Sequence, residues 1–202
     1  MKRLIPFLLA LLTCSCGPAD STTSAPPAPP APPPLPANSL VQNGDFSQGA
    51  AHWEGDVQLP RKAGTGIDIT LNPAAWTRIY QTFKPGTGTQ FSIVVNYRFL
   101  PGLTVSQNAA DYANITKQIQ IPGFDNYPSI HLSPGQCYGT IGNPNSSSMS
   151  MELFNPNLTS TDLQTYTHTY PPVPVSDTDT FALAFPPGTG TVFITGIAVT
   201  SN

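Results

Sequence analysis

Proline and glycine recur so often along this chain that no stretch is left for an amphipathic helix of ordinary length. The 202 residues include 24 prolines and 16 glycines. Between them lie short runs in which apolar and polar residues alternate. Gly66–Leu71, Thr77–Phe83 and Thr89–Phe99 keep period two, which places every second side chain on one face of an extended strand. Further strands are expected at Ile115–Ile121, Ser129–Leu132, Cys137–Ile141, Ser150–Phe154, Leu163–Tyr170, Thr180–Phe185 and Thr191–Thr200, with one helical turn at most at Asn108–Tyr112. Many short strands with turn residues between them imply an all-β fold of two antiparallel sheets packed as a sandwich.

The N-terminal text is of a different kind. Met1-Lys2-Arg3 precedes an apolar run, Leu4–Leu12, that is too short to span a bilayer. This is the pattern of an export signal. The run ends in Leu12-Thr13-Cys14-Ser15-Cys16-Gly17, which resembles a bacterial lipobox with Cys16 as the lipidated residue, because Ser15 is smaller than Thr13 at the cleavage position. An ordinary secretory signal is the alternative. Residues 1–16 are therefore assigned to the signal. Residues 17–38 form a linker whose Ala-Pro-Pro repeats favour polyproline II, a stiff stalk rising about 3.1 Å per residue. Residues 39–202 form one domain, of a size that supports a real core. The expected location is the cell envelope, with a lipid anchor at an outer membrane or cell surface.

The domain opens with Leu40-Val41-Gln42-Asn43-Gly44-Asp45-Phe46, followed by Gly49 and Trp53. Asn-Gly favours a reversal because both residues tolerate positive φ. A short opening strand, a kink and a tryptophan folded onto the β-core are expected. This segment resembles the start of galactose-binding-like jelly rolls, among them many bacterial carbohydrate-binding modules. The C-terminal Pro187-Gly188-Thr189-Gly190-Thr191, leading into Phe193–Val199, is similar to the close of such modules. The resemblance implies a jelly-roll sandwich with Trp53 in the core. Phe83–Ile93 echoes Phe185–Ile194, and both Gly-x-Gly loops are expected to be hairpin turns, since strands rather than helices follow them.

Charge and chemistry exclude more than they assign. Once Lys2 and Arg3 are removed with the signal, six basic residues face eleven acidic ones. A mildly acidic surface argues against nucleic acid and anionic lipid as partners. The three histidines, His52, His131 and His168, lack metal-ligand spacing. His168 shares a strand face with Tyr166 and Tyr170 and is read as packing or surface. The only glutamates, Glu54 and Glu152, do not sit in a glycosidase-like acid motif, and no Gly-x-Ser-x-Gly elbow occurs. Cys137, alone after the signal, is read as a small buried hydrophobe. The calcium site that the jelly-roll resemblance suggests lacks its carboxylates: Asp45 stands alone, and Ser176-Asp177-Thr178-Asp179 reads as a solvated turn. No catalytic residue, cofactor or metal is expected.

The leading expectation is a non-catalytic lipoprotein module that binds carbohydrate through exposed aromatic rings. The alternative is a structural or adhesion module with a protein partner. Trp76 follows Asn72-Pro73-Ala74-Ala75 at a loop-to-strand junction and is expected to be exposed. With it as ligand-binding candidates stand Tyr112, beside Asp111, and the loop residues Phe124, Asp125, Asn126 and Tyr127. Tyr80 and Tyr97 lie mid-strand, in core or cleft. The stretch from Pro101 to Asn157 is longer than the family pattern and reads as an insertion.

Overall fold

The computed structural model of the protein describes residues 31–56, 66–85, 89–121, 130–143, 149–154, 156–174 and 176–202, with backbone alone for 149–154. The chain divides into two units, Met1–Ala31 and Pro32–Asn202. The signal sequence, Cys16 and most of the proline-rich repeat lie outside the described residues. The second unit is the folded domain, and it takes in Pro32–Asn38, which the sequence assigns to the linker.

The domain is a two-sheet antiparallel jelly-roll sandwich. Its strands are β1 (Glu54–Gly55), β2 (Ile67–Thr70), β3 (Thr77–Phe83), β4 (Phe91–Phe99), β5 (Thr104–Val105), β6 (Cys137–Gly142), β7 (Met149–Phe154), β8 (Gln164–Thr169), β9 (Asp179–Phe185), β10 (Gly188–Thr189) and β11 (Thr191–Ser201). One sheet has the order β1-β3-β9-β6-β7 and the other β2-β11-β4-β8, with β10 and β5 as a small separate pair. The alternation seen in the sequence sorts side chains between faces. Ile79 and Phe83 of β3 and Phe181, Leu183 and Phe185 of β9 meet Ile93, Val95 and Phe99 of β4 in the inter-sheet core. In β11 the register shifts between Ile194 and Gly196, a bulge that lets both Ile194 and Ile197 face inward.

Leu40–Trp53 forms no strand; it is a series of turns. Asn43 takes a φ of 50° and its side chain ties the segment together. The Nδ2 group donates to the Gly49 and Ala51 carbonyls at 2.8 and 3.0 Å, and Oδ1 accepts from the Gln48 amide at 2.9 Å. Those bonds satisfy locally the backbone groups that a strand would have paired across a sheet. Trp53 then packs on Phe46, ring centroids 5.5 Å apart, as the motif implies. Phe46 holds a φ of 57°. That conformation costs on the order of 1–2 kcal/mol for a bulky residue, and full burial of the ring offsets it.

Two expectations are corrected. Ile115–Gln118 is a helical turn, α1, rather than a strand. The run Ile115-Thr116-Lys117-Gln118-Ile119 fits period two and the i, i+4 spacing equally well. Burying Ile115 and Ile119, both fully buried, is worth about 1.5–3 kcal/mol each. That outweighs the few tenths by which isoleucine and threonine disfavour a helix. The second correction concerns the Gly-x-Gly loops. β9 and β11 belong to different sheets, so the loop through Gly188 and Gly190 does not close a hairpin between them; Gly86 and Gly88 lie outside the described residues, between β3 and β4, which also belong to different sheets.

Candidate functional site

The outer face of the five-stranded sheet is the place where a shallow site could be built, and it is divided in two. Over β9 and β6 the insertion lies on the sheet and makes a second core. Trp76, Tyr112, Ile115, Ile119, Ile121, Leu132, Tyr138, Ala182 and Ala184 are buried together there. The alanines of β9 leave room for these large side chains to approach the strands.

Trp76 is therefore only 2% exposed, against the expectation of a presented ring. Its indole N–H donates to the Asp111 carbonyl at 2.7 Å. The Tyr112 ring meets it edge-on, with centroids 5.7 Å apart at 83°. Tyr112 is fully buried as well. Its hydroxyl donates to the Ser106 carbonyl at 2.7 Å and accepts from the Gly135 amide at 2.9 Å, which stitches the two arms of the insertion together. Burial pushes the Tyr112 phenol up from its ordinary range. The junction before β3 would have exposed Trp76 in a bare sandwich; Tyr112, Ile115, Ile119, Ile121 and Leu132 cover it. Phe124, Asp125, Asn126 and Tyr127 lie outside the described residues.

Over β1 and β3 the described residues leave the same face open. Tyr80 is half-buried there, with Glu54 directly opposite on β1 and Ala182 opposite on β9. Its phenol is pushed up by burial first and then by the Glu54 carboxylate, to which the hydroxyl is hydrogen-bonded. Arg78, half-buried, and Thr82, exposed, flank Tyr80 along the strand. Asp56 completes the strip: its Oδ2 accepts from the Arg78 amide at 2.9 Å. A ring with a carboxylate opposite it on β1 and an arginine two residues away along β3 offers one apolar surface plus acceptors and donors for hydroxyl groups. Glu54 and Arg78 were not legible as site residues, because β1 is two residues long and only pairing with β3 brings Glu54 beside Tyr80.

Other chemical groups do not assemble. Tyr97 faces the inter-sheet core, and burial pushes its phenol up to about 12. Cys137 is fully buried in that core, and burial raises its thiol far above its ordinary value, so it is chemically quiet. His168 stacks on Tyr166 at 6.3 Å and meets the Tyr170 ring edge-on at 4.8 Å, all on one side of β8. His52 and His131 are exposed and far apart in the chain. Among the described residues no three His, Cys, Asp or Glu side chains gather into a metal-holding group.

No family model matches the sequence, and no curated protein does. Solved structures resemble the fold. A CBM4 carbohydrate-binding module superposes with a TM-score of 0.50 at 15% identity, over 80% of this chain and 99% of that one. The enzymatically active domain of bacteriophage CBA120 tailspike protein 4 superposes with a TM-score of 0.50 at 11% identity, over 82% of this chain but only 22% of that one. At such identities the likeness is one of fold.

Proposed function

We propose that this chain is a non-catalytic glycan-binding module whose site is the open strip Glu54, Asp56, Arg78, Tyr80 and Thr82. The observation that carries it is the half-buried Tyr80 ring, hydrogen-bonded to the Glu54 carboxylate across the β1–β3 pair and flanked along β3 by Arg78 and Thr82 on the same face. A pyranose can lay its apolar face on the ring while Glu54, Asp56 and Arg78 bond its hydroxyls. The fold likeness to a carbohydrate-binding module supports the reading. The export signal and Cys16 support delivery to the cell envelope on a lipid anchor, and the mildly acidic surface disfavours nucleic acid.

The test is a glycan array followed by titration of the strongest binder. Tyr80→Ala should weaken binding by about 1–2 kcal/mol, roughly 5- to 30-fold. A half-exposed ring contributes modestly to the core, so the melting temperature should move little. Retained binding in Tyr80→Ala, with loss in Tyr127→Ala, would move the site to the loop of Phe124, Asp125, Asn126 and Tyr127. Silence across the array would favour the second reading, a structural or adhesion module. That reading draws on the burial of Trp76 and Tyr112, which removes two of the candidate rings from the surface.

A further inference from the structure

We propose that the end of the proline-rich arm, Pro33–Leu35, is clipped to the outer face of the four-stranded sheet by one cross-strand pair, Asn96 and Gly196. The two residues stand directly opposite each other on β4 and β11. Asn96 is polar yet only 1% exposed. Its Nδ2 donates to the Pro33 carbonyl at 3.1 Å, and its Oδ1 accepts from the Thr165 hydroxyl of β8 at 2.8 Å. The arm thus supplies the partner that a buried amide donor requires. A polyproline segment suits this role, because its carbonyls have no internal donors to satisfy.

Gly196 supplies the slot beside that bond. A Cβ there would stand 3.0 Å from both Leu35 methyl carbons and 3.2 Å from Cγ, so the missing side chain is the space Leu35 occupies. Glycine inside a strand forfeits packing and strand stability; one beside a bulge, with another segment resting on it, marks a close approach. Leu35 and Pro36 are half-buried, whereas Pro33 and Pro34 are exposed. The chain then runs on along β11, where the Leu40 amide donates to the Val199 carbonyl at 2.7 Å. The clip fixes where the arm joins the domain: on the four-stranded sheet, the side of the sandwich opposite the Tyr80 strip. A tethered domain would be held by one face and free on the other. The clip itself stands on these contacts and does not depend on the glycan reading.

The test is nuclear magnetic resonance on the full chain with labelled leucine methyls and asparagine side-chain amides. Leu35 methyls should show cross-relaxation to the Gly196 α protons. Gly196→Val places a strand-compatible side chain in the slot, at a backbone position with no left-handed φ. It should release Leu35 to random-coil shifts and narrow lines while the shifts of the inter-sheet core persist. Leu35→Ser, on the arm and unable to disturb the sheet from within, should speed hydrogen exchange of the Asn96 side-chain amide by on the order of tenfold. Absence of the Leu35–Gly196 contact in the parent chain, or an Asn96 amide indifferent to Leu35→Ser, would overturn the clip. Because Leu35→Ser leaves the sheet intact, the second readout decides even if Gly196→Val fails to fold.

Discussion

The two tryptophans are equally hidden and are hidden by different things. Trp53 lies between the sheets, against Phe46 at 5.5 Å and edge-on to Phe181 at 6.5 Å, and its indole N–H donates to the Asn43 carbonyl at 3.1 Å. Its hydrogen-bond partner is ten residues away, inside the same opening motif. Trp76 lies outside the sandwich, on the back of a sheet, and its partner Asp111 is 35 residues away. The inter-sheet core is what any such sandwich must have. The second core exists because one insertion folds down onto a face that would otherwise meet water. Whether that face is a platform or an interior is thus decided strip by strip: covered over β9 and β6, open over β1 and β3.

The largest effect should separate the two cores. Trp53→Ala deletes a ring shared by the opening motif and β9, and a large-to-small change of that kind costs about 3–5 kcal/mol. Chemical denaturation should show one cooperative transition at a lower midpoint. Trp76→Ala removes comparable buried area, so the same range is its ceiling, but the loss should fall first on the insertion. Hydrogen exchange should rise across 109–121 and 130–135 while β4 and β11 stay protected. Uniform loss of protection in both variants would show that the two cores melt as one, and the distinction would fail.

A smaller effect sharpens the inter-sheet side. Asp179 opens β9, is 1% exposed, and its Oδ2 has no hydrogen-bond partner among the described residues. Ser176 Oγ stands 2.5 Å from Asp179 Oδ1 and 2.8 Å from the Thr178 carbonyl. Burial pushes the Asp179 carboxyl above its ordinary value, against the opposing Ser176 bond. The folded state therefore binds this proton more tightly than the unfolded chain does. The stabilisation is complete below the ordinary aspartate value of 3.8 and is lost as pH rises through the raised value in the fold. Asp179→Asn keeps the shape without the charge. It should raise the denaturation midpoint at neutral pH and flatten its dependence just above pH 4; a lower midpoint at pH 7 would mean that Asp179 is ionised and useful there.

What could be read in advance depended on how local its cause was. The strands β2, β3 and β4 follow from alternation within single segments, β6, β7, β8, β9 and β11 from short runs between turn residues, and the place of Trp53 from bonds made within a dozen residues of Asn43. Ile115–Gln118 misled because the five residues Ile115–Ile119 satisfy two periods, and the choice between them lies in the surface that covers them. The open Tyr80 strip was hardly legible: alternation placed Tyr80 mid-strand in β3 but left core or cleft open, and it could not show the neighbour that pairing with β1 provides.

Sequence alone thus determined the fold class, an antiparallel sandwich built from short alternating runs, because period-two patterning and proline–glycine punctuation act residue by residue. Tertiary structure alone decided that Trp76 and Tyr112 are interior, that Tyr80 meets Glu54, and that Leu35 rests on Gly196. Each of those outcomes depends on segments tens of residues or more apart arriving at the same place, and burial is a property of what arrives, not of the residue that waits.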